Sequence, residues 1–351
     1  MKELKKVSWR SPSNIALIKY WGKHDNQLPN NPSISFTLDQ CYSETSLAIS
    51  EKESKDKSLE LRFYFDKKEN LAFRIKILSF FEGVSRDFPF LTKYALSVHS
   101  TNSFPHSSGI ASSASAMSAL ALCLCEMDSK LKTNQLKADK EKIFKTASYY
   151  ARIGSGSASR SIYPVASLWG AAYGVKGSSD EYAIPFEKEI HKTFRHYQNS
   201  ILIASSAEKK VSSRVGHALM KTNPFAKARY KQANENLKDI IDALKTGDID
   251  KFGVITETEA MTLHALMMCS SPGFMLMTPS TIAMINKIKG FREVTKLPVY
   301  FTLDAGPNIH LLYPEDIKHK VIPFIQSELS EHCEHGKIIW DKIGKGPSPI
   351  K

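Results

Sequence analysis

The stretch from Asn102 to Asp128 constrains this chain more than any other. It opens polar and turn-prone, with Asn102, Ser103, Pro105, Ser107, Ser108 and Gly109. It then runs through the small residues Ala111 to Ala116 into Met117, Leu120, Leu122 and Leu124. Small residues let backbone approach a bulky ligand. A helix starting here aims unpaired N–H groups and the positive end of its dipole at whatever lies before it, which suits an anion such as phosphate. The same residues also suit a Ser-rich turn capping a buried Ala/Leu helix, since serine is a common N-cap. On its own the stretch favours that plainer reading; its companions elsewhere in the chain tip the balance.

The 351 residues exceed a single typical core, so two lobes or two domains are expected. Hydrophobic and charged contents of 42% and 24% are those of an ordinary globular protein. A formal net charge of +12 points to an anionic partner, either nucleic acid or a phosphorylated small molecule. Much of the charge is lysine spread through 51–57 and 129–145, which reads as solvated surface. No compact Arg/aromatic patch argues for nucleic acid. The five cysteines (Cys41, Cys123, Cys125, Cys269 and Cys333) are odd in number, and three lie in apolar helical contexts, as reduced cytosolic thiols would. The first residues lack the apolar core of a secretory signal. The run Ile110–Cys125 carries serines and is too short to span a bilayer. A cytoplasmic protein with no membrane partner is expected.

Taken in order, 7–23 reads as a strand leading into a cluster of Asn14, Lys19, Tyr20, Trp21, Gly22 and Lys23. Two lysines beside two large rings can grip a phosphorylated ligand, or can be edge-strand lysines reaching past core aromatics. Strands are expected at 33–49, 59–65 and 94–100, with His99 structural. A helix is expected at 69–83, burying Leu71, Ile75, Leu78 and Phe81. Helices follow at 110–128 and 140–151, and strands at 171–175 and 199–206. A turn-to-helix spans 207–220, with helices at 225–246, 248–270 and 279–289. The segment 297–314 reads as strand, tight turn and strand, and 315–351 as a helix and a polar tail.

Between the second pair of helices and strands, Gly154, Ser155, Gly156, Ser157 and Ser159 surround Arg160. Free N–H groups, hydroxyls and a guanidinium in so short a span suit an oxyanion. A flexible linker fits poorly, because Ile162, Val165, Leu168 and Trp169 follow at once. Asp304 opens the turn Asp304-Ala305-Gly306-Pro307-Asn308. An aspartate at a turn usually bonds only its own backbone, but this one ends the apolar run VYFTL, where it would be desolvated and held like a catalytic acid or base. Glu257, Glu259 and His264 read as solvated or capping residues. His332, Cys333 and His335 have no second pair at zinc-finger spacing. With no G-x-x-x-x-G-K-[ST] and no G-x-G-x-x-G, a nucleotide needs some other cradle.

Four segments in this order, NIALIKYWGK (14–23), NSFPHSSGIASSASA (102–116), ARIGSGSASRS (151–161) and FTLDAGPN (301–308), resemble the GHMP kinase superfamily and specifically its diphosphomevalonate decarboxylase branch. The second segment alone supports only the superfamily; KYWGK, GSGSASR and DAGPN are specific to the decarboxylases. The resemblance spans about Val7 to Pro314. It implies an α+β, two-lobe GHMP kinase fold, with antiparallel and mixed sheets packed with helices, lobes of 1–195 and 196–351, a cleft site and commonly a homodimer. It implies ATP-dependent conversion of (R)-5-diphosphomevalonate to isopentenyl diphosphate, CO2, ADP and phosphate. The alternatives are a kinase or decarboxylase acting on mevalonate or its monophosphate and, more distantly, a non-catalytic nucleic-acid-binding protein.

Carried over by residue, Asp304 is the carboxylate beside the substrate's tertiary hydroxyl, Lys19 orients both, and Arg160 holds the substrate carboxylate. Asn14, Tyr20, Trp21, Gly22, Lys23, Ser155, Gly156, Ser157, Ala158, Ser159, Ser213 and Arg214 surround the substrate, chiefly its diphosphate. Ser107, Ser108, Gly109, Ala111, Ser112 and Ser113 wrap the ATP phosphates, with Ser112 and Ser113 nearest Mg2+. Two departures stand out. Pro105-His106-Ser107-Ser108-Gly109-Ile110 replaces the family's more usual Pro-Thr-Ala-Ala-Gly-Leu, and Arg214 adds a cation after Ser213.

Overall fold

The computed structural model describes residues 3–53, 56, 58–105, 110–132, 140–207 and 211–350. The first strand, β1 (Glu3–Ala16), delivers the chain to a two-residue ribbon, β2 (Lys23–His24) with β3 (Leu28–Pro29). The long β4 (Ser33–Ser50) follows, then β5 (Glu60–Phe65), β6 (Lys68–Glu69), α1 (Leu71–Val84), the single turn α2 (Phe90–Lys93) and β7 (Ala95–Asn102). Helices α3 (Ser112–Leu131) and α4 (Lys140–Gly154) come next. A 3-10 turn over Gly156–Ile162 then leads into β8 (Ala166–Trp169) and β9 (Ala183–Pro185).

The remainder runs β10 (Gln198–Leu202), α5 (Ser213–Leu219), α6 (Ala226–Thr246), α7 (Ile249–Met268) and α8 (Pro279–Thr295). It finishes with β11 (Tyr300–Thr302), β12 (Ile309–Tyr313), α9 (Lys318–Phe324), β13 (Ile338–Lys342) and β14 (Ser348–Pro349).

Eight strands form one mixed sheet in the order β14-β1-β4-β7-β5-β6, with β8 and β9 continuing from β4; only β5 and β7 run parallel. A four-stranded antiparallel sheet has the order β11-β12-β10-β13. One apolar core lies between the large sheet and α1, α3 and α4. A second gathers around Phe36, Phe194, Tyr197 and Phe252, and a third joins the small sheet to α8 and α9. No described helix is long and apolar enough to cross a membrane.

The small residues of α3 let it lie close on the sheet. Ser118 Oγ meets Ser11 Oγ of β1 at 2.6 Å, and Ser115 Oγ meets Ser43 Oγ of β4 at 2.6 Å. Buried hydroxyls thus satisfy one another where larger side chains would hold the helix away.

β4 serves two neighbours in turn, β8 with residues 33–36 and β7 with 43–50. At the change of partner its backbone N–H groups would go unpaired, and Asp341 of β13 answers them. The buried carboxylate accepts from the N–H groups of Asp39, Gln40 and Cys41 at 2.9, 2.8 and 2.9 Å. Truncating Asp341 to Ala orphans three donors at once. An unfolding free energy lower by about 3 kcal/mol is expected in a urea titration, on the scale of unsatisfied buried groups.

Three expectations are corrected. α1 buries Ile77, Phe80, Phe81 and Val84, whereas Leu71 and Ile75 are 62% and 67% exposed. The apolar face is turned from the one the spacing suggested, and Ile75 borders a surface cavity instead. The strand expected at 171–175 lies at 166–169, ended by Gly170 with φ 105°, where an added Cβ would stand 2.5 Å from Pro32 Cα. The expected polar tail contains β13 and β14, which pair with β10 and β1.

Candidate active site

Beyond Ala16 the chain leaves β1 and turns inward, burying the whole Lys19 side chain. Lys19 Nζ donates to the Ala16 carbonyl at 2.7 Å and to Asp304 Oδ1 at 2.8 Å. Its backbone is held as firmly. The Lys19 N–H donates to Glu259 Oε2 at 2.8 Å, and its carbonyl accepts from Arg229 Nη2 at 3.0 Å and Asn31 Nδ2 at 3.1 Å. Glu259 and Arg229 form a fully buried ion pair at 2.6 Å, with Asn236 donating to Glu259 Oε1 at 2.7 Å.

Asp304 stands just past β11 with its carboxylate partly open to a cavity. Its carbonyl accepts from the Gly306 N–H at 2.7 Å and lies 3.2 Å from His264 Nε2. Burial alone would raise the carboxyl's pKa. The Lys19 ammonium, helped by Arg160, outweighs it and holds Asp304 below its ordinary value. Burial lowers the Lys19 pKa, although Asp304 and Glu259 pull it back up. The two side chains form a salt bridge at 2.8 Å.

Arg160 lies in the 3-10 turn, also buried. Its Nε donates to Asn14 Oδ1 at 3.3 Å, its Nη1 donates to Ser33 Oγ, and the guanidinium sits 5.8 Å from the Trp169 ring centroid. Burial pulls its pKa down to about 10, so it stays charged at neutral pH. Asn14 is fixed in turn by donating to Ser161 Oγ at 2.7 Å. Gly156 is required by crowding, since a Cβ there would stand 2.9 Å from both the Trp169 ring and the Tyr20 hydroxyl.

Tyr20, Trp21 and His217 form an aromatic wall, with His217 of α5 having its ring centroid 4.3 Å from that of Tyr20 and 4.7 Å from that of Trp21. Gly22, at φ 96°, turns its N–H onto His217 Nδ1 at 3.0 Å.

These groups converge. Asn14, Lys19, Tyr20, Trp21, Lys23, Ala111, Ser113, Ser155, Gly156, Ser157, Arg160, Ser213, Arg214 and Asp304 line one cavity of about 450 Å³. Among the described residues, Lys19, Lys23, Lys76, Arg160 and Arg214 face one lining carboxylate, that of Asp304, a balance made for a multiply charged anion. A second cavity of about 530 Å³, walled by Phe63, Phe65, Phe73 and Ile75, shares Lys76, Ser113, Gly154 and Arg214 with the first. The N-terminus of α3 borders both. Ala111 stands there in the left-handed region, no side chain caps the helix, and the Ser112 and Ser113 N–H groups have no partner among the described residues. That end fits a phosphate.

Among the expected site residues, Ser112 lines the second cavity rather than the first, and Gly22 supports the wall. Ala158 and Ser159 are fully buried in the turn, where Ser159 Oγ bonds the Gly156 carbonyl at 2.9 Å, and neither lines either of these two cavities. Ser107, Ser108 and Gly109, with His106, lie outside the described residues.

Gln27, Lys76, Ser212, His217 and Leu263 also line the first cavity and lie outside all four segments. Glu257, Glu259 and His264 are corrected: none is solvated or capping. Glu257 is buried against Arg292 at 2.6 Å, Glu259 clamps Lys19, and His264 supports Asp304. Among the described residues no cluster of three or more His, Cys, Asp or Glu is placed to hold a metal.

The family model for a diphosphomevalonate decarboxylase-like N-terminal domain matches residues 11–183, and that for a mevalonate 5-diphosphate decarboxylase C-terminal domain matches 200–348. A diphosphomevalonate decarboxylase of Ganoderma lucidum is 31% identical over 336 residues, covering 90% of this chain and 80% of its own. The chain belongs to the diphosphomevalonate decarboxylase family.

The Candida albicans member is 28% identical, with 97% of each chain covered. Among solved structures, the Staphylococcus aureus mevalonate diphosphate decarboxylase superposes with a TM-score of 0.83 at 29% identity, covering 99% of this chain and 98% of its own. MDDEF in complex with MVAPP, AMPPCP and magnesium gives a TM-score of 0.81 at 29% identity, covering 99% of both chains. The mixed two-sheet architecture described above is thus that of the GHMP-type decarboxylases.

Proposed function

We propose that the cavity around Asp304, Lys19 and Arg160 carries out the ATP-dependent decarboxylation of (R)-5-diphosphomevalonate to isopentenyl diphosphate, CO2, ADP and phosphate. The observation that supports it most is the meeting of three segments remote in sequence: Lys19 from beyond β1, Arg160 from the 3-10 turn and Asp304 from beyond β11, in one cation-lined cavity.

A tertiary hydroxyl leaves only once phosphorylated, and phosphoryl transfer is mainly alignment and charge neutralisation. The Asp304 carboxylate takes the hydroxyl as a hydrogen-bond donor and points its oxygen at the incoming phosphoryl group. Lys19 holds its pKa below the ordinary value, so the group is ionised and able to align the hydroxyl and to take its proton as the new P–O bond forms. The N-terminus of α3, with Ser112 and Ser113, receives the triphosphate, and these serines would hold Mg2+ through it. Mg2+ when bound neutralises the charge that develops on the transferred group. The second cavity has room and apolar walls for the base.

Arg160 then matters most. As phosphate leaves C3, the electrons of the C–COO⁻ bond form the double bond, which requires the carboxylate to lie in the right plane. A planar fork fixed by Asn14 and Ser33 holds it there. Arg160→Lys keeps the charge and loses the fork. Its kcat/KM should fall about 10²-fold, the cost of misplacing a bound group.

The assay supplies Mg2+–ATP with 5-diphosphomevalonate and follows ADP and CO2 together. Equal yields are expected; ADP without CO2 would make the chain a kinase. A homodimer, a cytoplasmic location and a division into lobes at 195/196 belong to the same reading. Val254, Met261 and Met268, exposed along one face of α7, offer an apolar surface for the dimer, which light scattering tests.

A further inference from the structure

We propose that His217, which no motif marks, is a substrate-binding residue whose Nε2–H donates to the diphosphate of the substrate. This rests on the decarboxylase reading and deepens it.

His217 is 8% exposed, and the exposed part faces the main cavity. Its two nitrogens have different surroundings. Nδ1 accepts the Gly22 N–H at 3.0 Å, a bond that only an unprotonated Nδ1 can make, so the ring's proton sits on Nε2. Nε2 has no partner among the described residues, although the ring is otherwise enclosed by Tyr20 and Trp21. Two further polar atoms of this wall, the Tyr20 hydroxyl and the Trp21 indole N–H, are buried without a partner among the described residues. A polar corner with its donors unmatched is matched to a ligand rich in acceptors.

The ring's surroundings make it a donor of fixed state. Burial, then the charges of Lys23 and Arg160, drive the imidazole pKa down to about 3. Lys23 and Arg214 lie near enough for Arg214 to lower the Lys23 pKa, although burial contributes more. The cations supply charge and the neutral imidazole supplies direction, which a flexible lysine does not.

Two variants separate this role from a structural one. In His217→Asn the shorter amide oxygen takes the place of Nδ1 and keeps the Gly22 contact, but nothing replaces Nε2. In His217→Gln the amide N–H reaches the place of Nε2, at the expense of the Gly22 contact. The expected result is a KM for 5-diphosphomevalonate raised about 10-fold in the Asn variant, as for a lost hydrogen bond to a charged group, with kcat and the KM for ATP within 3-fold of the parent. The Gln variant should stay within 3-fold throughout. A parental KM in the Asn variant, or an equal rise in both, would overturn the assignment. If the parent itself releases no CO2, the decarboxylase reading has failed. Calorimetric binding of 5-diphosphomevalonate to parent and variants then still decides on His217, with the same 10-fold loss expected in Kd for the Asn variant alone.

Discussion

Asp304→Asn should turn over roughly 10²-fold or more slowly than the parent, with the KM for ATP changed less than 3-fold, on the scale of general acid–base contributions. The amide keeps the shape but loses the charge and turns one of the two acceptor oxygens into an N–H donor, so Lys19 and the hydroxyl no longer both find an acceptor. ADP and CO2 should fall together, because elimination waits on phosphorylation of the same hydroxyl. A parental rate would remove Asp304 from the mechanism.

The pH profile supplies an independent check. In the proposed mechanism the active form is the Asp304 carboxylate, whose folded pKa lies below the ordinary 3.8, so activity should be complete above that range and be lost only as pH falls through the lowered value. No acid limb from this group is expected between pH 5 and 8. On the alkaline side, burial brings Lys19 below the ordinary 10.5, and loss of its proton removes the charge facing Asp304. Activity should therefore decline at a lower pH than an exposed lysine would give. A limb near pH 6 would point to a different essential group.

What the sequence displayed was whatever needs a special local chain. Gly156 must be glycine because two rings crowd it, and Asp304 ends an apolar strand at a tight turn, so both sit in unusual residue patterns. The four segments around them located most of the cavity lining. The supports were hidden because they are ordinary residues on regular helices. Glu259 and His264 on α7 look like any charged or polar positions, and only the packing of α6 and α7 beneath the loop after β1 gives them their partners. His217 was hidden for the same reason. The face of α1 was misjudged because helical spacing gives a period but not which of two adjacent stripes meets the sheet. β13 and β14 were missed because their pairing is wholly long-range, and short strands at the polar end of a chain carry little signal of their own.

The second large effect concerns the pair beneath the site. Glu259 and Arg229 are both fully buried, and each also holds the Lys19 backbone, one by its N–H and the other by its carbonyl. Glu259→Gln preserves an acceptor for the Lys19 N–H but strands the guanidinium in the interior. Removing one member of a buried pair costs about 3–5 kcal/mol, and a loss of that size is expected in urea unfolding. Replacing both together, as Arg229→Met with Glu259→Leu, removes the buried charges and should recover part of this stability, since apolar substitutes for buried pairs are often neutral. Activity should not follow. With neither clamp present, Lys19 is free to shift relative to Asp304, and kcat should remain about 10²-fold below the parent, as for other small misplacements of a reacting group. A double variant that regained both stability and turnover would reduce the pair to packing, with Lys19 held by Asn31, the Ala16 carbonyl and its own salt bridge.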